Sequence, residues 1–279
     1  MKISTTALPS GEKIPTFGIG TWRMGEQRAH RRAETDAVRL AIDLGVTLID
    51  TAEMYGDGHA EEIVGEAIRR RRDGLFIVSK VLPSNASAKG TITACDRSLK
   101  RLGIDCIDLY LLHWPGSHPL AATIGAFEEL RTRKKIRHWG VSNFDLPDMK
   151  ELSALVPGAA CASNQVLYNL ARRGIEHSLV PWSLARGMPI MAYSPIDQAR
   201  LLSHRSLKAV ATSLNATPSQ VALAWLLRQP ATIVIPKATD PDHLRENLGS
   251  LGIALTDQAL RDLDRAFPPP RGPVPLEVL

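Results

Sequence analysis

Four side chains in this 279-residue chain could together move a proton to or from a carbonyl oxygen: a carboxylate, a phenol, an amine and an imidazole. Asp50 ends the short apolar run that begins at Val46, and Tyr55 follows five residues later on a glycine-rich turn. Lys80 and His113 each follow a later apolar run. The carboxyl ends of parallel strands meet at one rim of an α/β fold, where active sites collect. We therefore expect these four side chains to meet in one pocket.

This set of side chains suits general acid catalysis. A free phenol has a pKa of about 10 and does not readily give up its proton at neutral pH. A neighbouring ammonium, from Lys80, favours the phenolate and would lower that pKa. Asp50 would hold Lys80 charged and in place, and His113 could donate a hydrogen bond that orients a carbonyl. No protein side chain supplies a hydride, so a reduction in this pocket needs a cofactor.

Alternating strand and helix patterns predict the elements that position these residues. A turn pattern at residues 8–12 predicts an N-terminal β-hairpin. Eight strand-like runs follow, each succeeded by a helical stripe. The runs are Phe17–Trp22, Val46–Ile49, Leu75–Val78, Ile107–Leu112, Ile136–Val141, Cys161–Gln165, Pro189–Tyr193 and Thr232–Ile235. Eight such units in roughly 250 residues predict a closed (β/α)8 TIM barrel, with residues 1–279 as a single domain. An open doubly wound sheet is the alternative, but the strands are evenly spaced and no phosphate-binding fingerprint is present.

Composition and charge narrow the range of partners. The net charge of +5 is modest, and the basic clusters at residues 69–72 and 131–137 follow predicted helices, where cations complement the helix dipole. No aromatic residues interleave with them, which disfavours nucleic-acid binding. No apolar run approaches the roughly 20 residues of a membrane span, and no apolar signal core begins the chain. Three cysteines without metal-type spacing predict reduced thiols. We expect a monomeric cytoplasmic protein without a metal, nucleic-acid or membrane partner.

Nine short stretches, in order over most of the chain, carry a resemblance to a known family. They are Gly18-Ile19-Gly20-Thr21-Trp22, Asp50-Thr51-Ala52-Glu53-Met54-Tyr55-Gly56, Ser79-Lys80, Leu111-Leu112-His113-Trp114-Pro115, Gly140-Val141-Ser142-Asn143-Phe144, Asn164-Gln165, Ala192-Tyr193-Ser194-Pro195, Ile235-Pro236-Lys237 and Arg245-Glu246-Asn247. With these stretches the chain resembles the aldo-keto reductase family. The resemblance implies a (β/α)8 barrel that reduces aldehydes or ketones to alcohols by hydride transfer from C4 of a nicotinamide. Tyr55 would be the proton donor, with Asp50, Lys80 and His113 as its partners.

The resemblance also implies which residues bind the cofactor and the substrate. The cofactor set is Thr21, Trp22, Asp50, Ser142, Asn143, Gln165, Tyr193, Ser194, Lys237, Ala238, Thr239, His243, Glu246 and Asn247. The substrate set is Trp22, Met54, His113 and Trp114. Within the first set, Ser142, Asn143 and Gln165 would hydrogen-bond the nicotinamide carboxamide, and Tyr193 would stack on the nicotinamide ring.

The part of the site expected for the adenosine 2′-phosphate departs from the family pattern. Lys237 is present, but Ala238 stands where a hydroxyl residue is common and His243 where an arginine is usual. A neutral imidazole offers one donor, whereas a guanidinium offers a charged bidentate fork. Asn247 would contact the adenine. We expect NADPH to be the preferred cofactor, with NADH as the alternative.

The segments expected to cover the pocket are short. The stretch Pro115–Pro119, after His113 and Trp114, is short, and a dozen proline-rich residues follow Phe267. A shallow, open pocket for small or varied aldehydes and dicarbonyls is the resulting hypothesis. Two rivals keep the barrel: a cofactor-binding sensor or regulatory protein without catalysis, and a lyase or isomerase that uses Lys80 as a Schiff base.

Overall fold

The computed structural model describes residues 2–155 and 161–279. Two short strands, β1 (Thr5–Ala7) and β2 (Lys13–Pro15), form an antiparallel N-terminal hairpin. Eight further strands form one parallel sheet in chain order. They are β3 (Gly18–Gly20), β4 (Leu48–Asp50), β5 (Phe76–Val81), β6 (Ile107–Leu112), β7 (Ile136–Ser142), β8 (Cys161–Leu167), β9 (Ile190–Tyr193) and β10 (Thr232–Val234).

The sheet closes on itself between its first and last strands. Val234 N donates to Thr16 O at 2.8 Å, and Gly20 N donates to Pro236 O at 3.0 Å. The first and last strands therefore face each other across a hydrogen-bonded seam rather than as two free edges. The predicted barrel with an N-terminal hairpin is confirmed.

The helices of the described residues lie between and after these strands. They are α1 (Arg31–Asp43), α2 (His59–Ile68), α3 (Ala88–Leu102), α4 (Leu120–Thr132), α5 (Leu146–Leu155), α6 (Leu179–Leu184), α7 (Arg205–Ser213), α8 (Pro218–Leu227), α9 (Pro241–Gly249) and α10 (Asp257–Ala266). Local sequence fixes several ends: Thr217 and Gln220 form a capping box at α8, and Gly103 ends α3 in the left-handed conformation. In the part of the chain described, no helix combines the length and the apolar character needed to cross a membrane.

Alternation along β5 shows how the barrel wall divides the core in two. Phe76 and Val78 point into the barrel and belong to the inner apolar cluster. Ile77 and Val81 point outward and pack in the layer between sheet and helices. Because side chains alternate along a strand, Lys80 shares the inward face with Phe76 and Val78. The sequence prediction ended this strand at residue 78, so it missed that Lys80 lies within the wall.

The N-terminal hairpin closes the end of the barrel opposite the site. Its segment contributes Leu8 and Ile14 to the same inner cluster, with exposures of 2% and 0%. Burying an aliphatic side chain of this size contributes about 1.5–3 kcal/mol. Apolar side chains thus fill the interior at the hairpin end, and the polar groups of the site lie at the carboxyl ends of the strands.

Candidate active site

Three of the four predicted catalytic side chains form one hydrogen-bonded cluster. Lys80 Nζ lies 2.9 and 2.8 Å from the two carboxylate oxygens of Asp50, and it donates to Thr51 O at 2.9 Å. The same nitrogen lies 3.2 Å from Tyr55 Oη. Lys80 is fully buried and Asp50 is 2% exposed. A buried ion pair therefore forms the floor of the site, and the phenol lies above it.

The turn after Asp50 sets the position of Tyr55. Residues Tyr55–Gly58 form a short 3₁₀ turn, and Gly56 adopts φ 55°. A side chain at Gly56 would place its Cβ 2.7 Å from Met24 O, so both the dihedral and the space demand glycine there. Gly58, at φ 89°, is the N-cap of α2. The phenol is thus held between the end of β4 and the start of α2.

Burial raises the pKa of Tyr55 above its usual 10, even though Lys80 acts in the opposite direction. Lys80 lowers this pKa as expected, but the net shift is upward, because loss of hydration disfavours the phenolate more than one ammonium favours it. Burial also disfavours the charged form of Lys80, but Asp50 and Tyr55 raise its pKa overall. At neutral pH the site therefore holds a protonated phenol beside an ammonium.

His113 completes the wall beside Tyr55. Its ring lies edge-on to the Tyr55 ring at 5.7 Å and 4.8 Å from the Trp114 ring, measured between centroids. Burial lowers its pKa to about 2, and the charge of Lys80 acts in the same direction. The imidazole is therefore neutral and offers one N–H donor. Its Nδ1 is buried with no hydrogen-bond partner among the described residues.

A cavity of about 510 Å³ opens above this cluster. Most of the residues predicted to act in catalysis or to bind cofactor or substrate line it. They are Trp22, Asp50, Met54, Tyr55, His113, Trp114, Ser142, Asn143, Gln165, Tyr193, Ser194, Lys237, His243, Glu246 and Asn247. Four predicted residues lie outside the lining: Thr21, Lys80, Ala238 and Thr239. Two of these four contact lining residues: Lys80 Nζ bonds the Tyr55 hydroxyl, and Thr21 Oγ1 donates to Asp50 O at 3.0 Å.

The residues expected at the carboxamide are joined to the acid cluster and to one another. Gln165 Nε2 donates to Asp50 Oδ1 at 2.7 Å, which fixes the orientation of its amide because a carboxylate only accepts. Asn143 donates to His113 O at 3.1 Å and accepts from the Tyr193 hydroxyl at 2.9 Å. Burial raises the pKa of Tyr193 to about 12, so this hydroxyl remains a donor.

The far end of the cavity is formed by Lys237 and the start of α9. Lys237 and His243 are both exposed and face the cavity. Arg245 pairs instead with Asp242 at 3.2 Å and does not line the cavity, so it does not replace the arginine missing at position 243. Cations near the expected phosphate are thus few.

Sequence reasoning missed nine of the described residues that line this cavity: Gly20, Pro195, Ile196, Gln198, Ala199, Leu202, Ser219, Ile235 and Leu279. Two of them, Ser219 and Leu279, come from parts of the chain with no predicted site residue. Ser219, on the first turn of α8, lines it and lies 2.9 Å from Asn247 Oδ1, which leaves the Asn247 amino group for a ligand. Leu279 also lines it, because the short tail is anchored nearby: Leu276 N donates to Asp145, and Glu277 pairs with Arg172. The spacing of these residues along the chain gave no indication of either contact.

No group of three or more histidine, cysteine or acidic side chains in residues 2–155 and 161–279 is arranged to hold a metal ion. The polar groups at the rim instead surround one cavity above the Tyr55–Lys80–Asp50 cluster. Because active sites of (β/α)8 barrels lie at this rim, the fold and the site together define a barrel enzyme.

Comparison with known proteins identifies the family. Residues 16–267 match the profile described as "Aldo/keto reductase family". The chain is 47% identical over 271 residues to methylglyoxal reductase YeaE of Escherichia coli K12, with 95% of each chain covered. It is 33% identical over 282 residues to glyoxal reductase of Bacillus subtilis, covering 99% of this chain and 97% of that protein. An aldo-keto reductase from Klebsiella pneumoniae, crystallised with NADPH, superimposes with a TM-score of 0.96 at 45% identity and full coverage of both chains. The chain belongs to the aldo/keto reductase family and is an oxidoreductase.

Proposed function

We propose that this protein reduces small, uncharged aldehydes and dicarbonyl compounds to alcohols with NADPH, and that Tyr55 is the general acid. The observation that carries the proposal is the 3.2 Å separation of Tyr55 Oη from Lys80 Nζ at the floor of the cavity. A protonated phenol beside a buried ammonium can give up a proton to a carbonyl oxygen and leave a stabilised phenolate. The names of the relatives, methylglyoxal reductase and glyoxal reductase, support the same class of substrate.

The polar groups along the cavity fit a nicotinamide dinucleotide. Gln165 and Asn143 lie at the end next to Tyr55, where they would bond a carboxamide, and the ring of Tyr193 beside them would stack on the nicotinamide. Lys237 at the other end would meet a phosphate, and the Asn247 amino group would meet a base. When bound, NADPH supplies the hydride. The NADPH complex of the Klebsiella pneumoniae relative supports this assignment.

The remaining chemistry belongs to the residues at the floor. His113, as a neutral donor, would hold the carbonyl oxygen against the Tyr55 hydroxyl. As negative charge grows on that oxygen, the phenol proton moves to it and the charge passes to Tyr55 Oη. At 3.2 Å and an effective dielectric constant of about 20, the Lys80 ammonium attracts this charge by about 5 kcal/mol before desolvation is counted. Asp50 holds the ammonium in place through both carboxylate oxygens.

The walls around the acid favour uncharged substrates. Trp22, Met54 and Trp114 present apolar surface, and Met54 is 49% exposed. The charged side chains in the described lining are Asp50 beneath the phenol and Lys237 and Glu246 at the far end. The cation nearest to Tyr55 is Lys80, which is already paired with Asp50, so a carboxylated substrate would find no unpaired cation among the lining residues beside its reacting carbon. The cavity remains open above these walls, which suits small and varied carbonyl compounds.

Turnover tests this proposal. Methylglyoxal and glyoxal should oxidise NADPH in the presence of the protein, as followed by NADPH absorbance, and a bulky steroid ketone should be a poor substrate. Tyr55→Phe should reduce kcat by about 10²–10⁴-fold because it removes the acid, while NADPH affinity stays at the parent value. Binding of NADPH without turnover of any carbonyl would instead identify a sensor, and borohydride trapping of a carbonyl on Lys80 would identify Schiff-base chemistry.

We also infer that the chain acts as a single-domain monomer in the cytoplasm. The acid, its partners and the residues assigned to the cofactor all come from one barrel, so one copy provides the whole site. Cys95, Cys106 and Cys161 are free thiols, which fits a reducing compartment. Light scattering at enzyme concentrations used for kinetics would report a dimer if this inference is wrong.

A further inference from the structure

Glu53 is a buried carboxylate next to the acid cluster that the proposed mechanism does not use. It lies two residues before Tyr55, is 7% exposed, and points away from the cavity, whose lining it does not join. Acidic side chains are almost never buried to this extent unless they are paired. Its contacts therefore indicate what it holds in place.

The side chain of Glu53 bonds to the segment that follows β5, the strand that carries Lys80. Its Oε1 accepts from Leu82 N at 2.8 Å and from Asn85 Nδ2 at 3.0 Å. Its Oε2 lies 3.4 Å from Arg97 on α3. The main chain of the same residue adds a fourth contact, because Glu53 N donates to Lys80 O at 3.3 Å. One residue thus fastens the loop that ends in Tyr55 to Lys80 itself and to the segment that follows it.

A second carboxylate fastens the other end of the Tyr55 loop to the same strand. Glu61, in the first turn of α2, accepts from Ser79 Oγ at 2.5 Å and from Arg101 Nε at 2.6 Å. Ser79 faces outward from β5 whereas Lys80 faces inward. The strand that supplies the ammonium is therefore bonded on its outer face to the residues after Tyr55, and at its end to the residues before it.

We propose that Glu53 is a positioning residue of the acid: its buried carboxylate holds the Tyr55 loop against the end of β5 and so sets the distance from the phenol to the Lys80 ammonium. The proposal rests on the proposed function, because Tyr55 must be the acid for its position to affect turnover. Without the carboxylate, Leu82 N and Asn85 lose their acceptor, and the side-chain bonds from the loop to the segment after β5 are lost. The loop then depends on main-chain bonds to β5, on the contacts of Lys80 with Thr51 O and Tyr55, and on Glu61.

Removing the carboxylate should affect chemistry more than binding. A displacement of about 1 Å at reacting groups can reduce the rate by about 10²-fold. We expect Glu53→Ala to lower kcat by about 10- to 100-fold, with KM for methylglyoxal and Kd for NADPH within about twofold of the parent, since Glu53 touches neither ligand. Glu53→Gln keeps an oxygen for Leu82 N, so it should recover most of the activity. Arg97→Ala removes only the longest contact and should have the smallest effect.

A second measurement does not depend on turnover. Ultraviolet titration of the phenols, compared with Tyr55→Phe, assigns the Tyr55 ionisation step in the parent. Burial is the main reason why the pKa of Tyr55 is raised. When the loop is released and the phenol gains water, this step should move down toward about 10 in Glu53→Ala. If the protein turns out not to reduce carbonyls, this measurement still tests whether Glu53 sets the environment of Tyr55.

Glu62→Ala is the matched control, because Glu62 lies on α2 beside Glu61 but pairs with Arg31 at the surface at 3.0 Å. It should leave kcat and the phenol titration unchanged. If Glu53→Ala lowers the melting temperature but leaves both kcat and the Tyr55 step at parent values, the positioning role is refuted and Glu53 is structural only. If Glu53→Ala does not fold, Asn85→Ala takes its place: it removes one of the two donors to Oε1, and unchanged kcat and titration in that variant would equally refute the role.

Discussion

At the end of the cavity that holds Tyr55, a buried cluster of polar side chains is joined by hydrogen bonds, whereas at the end that holds Lys237 the side chains of Lys237, His243 and Glu246 are exposed or half-buried. Asp50, Lys80 and Gln165 are each at most 2% exposed and are joined by hydrogen bonds of 2.7–2.9 Å. Lys237 and His243 are exposed, and the fixed contact at that end is the one between Ser219 and Asn247.

This difference separates two properties of the enzyme. The position of Tyr55, the proposed acid, is set by contacts within the protein, which is the preorganisation that catalysis requires. In the proposed assignment, discrimination between cofactors depends on a few exposed charges, whose interactions are weaker and screened by salt. Substitutions at the first end should therefore affect both stability and chemistry, and substitutions at the second end should change the choice of cofactor alone.

The largest effect is expected at the buried pair. Lys80→Met should lower kcat by about 10²–10⁴-fold and destabilise the fold by about 3–5 kcal/mol, because it leaves the Asp50 carboxylate buried without its partner. The double variant Asp50→Asn/Lys80→Met should recover most of the stability but none of the activity. Urea unfolding and steady-state kinetics on the three proteins separate the two effects. Full activity in Lys80→Met would contradict the view that the buried end of the cavity determines the chemistry.

An intermediate effect is expected at the exposed end. Lys237→Ala should weaken NADPH binding by about 10- to 100-fold, the usual loss for one charge-assisted hydrogen bond, while NADH binding changes little. The preference for NADPH in kcat/KM, which should exceed one in the parent, should fall sharply in the variant. Titration with 2′,5′-ADP and 5′-AMP isolates the phosphate from the rest of the cofactor. The melting temperature should not change, and a preference for NADH in the parent would contradict the assignment of Lys237.

The sequence was sufficient for the features that depend on strand order. Asp50, Tyr55, Lys80 and His113 could be placed together because parallel strands deliver their carboxyl ends to one rim. It was insufficient wherever the result depended on side-chain direction or on the balance of two forces. The carboxylate of Glu53 faces away from the cavity, Ser219 reaches Asn247 across two helices, and the path of the tail brings Leu279 to the wall.

The pKa of Tyr55 is an example of a property that depends on the balance of two forces. The neighbouring ammonium could be predicted from sequence, but the depth of burial that opposes it could not. Burial and the ammonium act in opposite directions on this pKa. Only the packed structure indicates which of them prevails, and here it is burial.

The smallest expected effect is on the pH dependence of stability, which should differ between the buried His113 and the exposed His243. The pKa of His113 is about 2 in the folded protein, whereas an unfolded chain binds this proton near pH 6.5. As the pH falls below about 6.5, the unfolded state takes up the proton first, so stability is lost by about 1.4 kcal/mol per pH unit. His113→Gln cannot take up this proton. Between pH 7 and pH 5 the variant should therefore lose about 2 kcal/mol less unfolding free energy than the parent in urea titrations. His243→Gln, at the exposed end, is the control and should follow the parent. Equal pH slopes in all three proteins would mean that His113 is hydrated, and that the acid end is less closed than its contacts indicate.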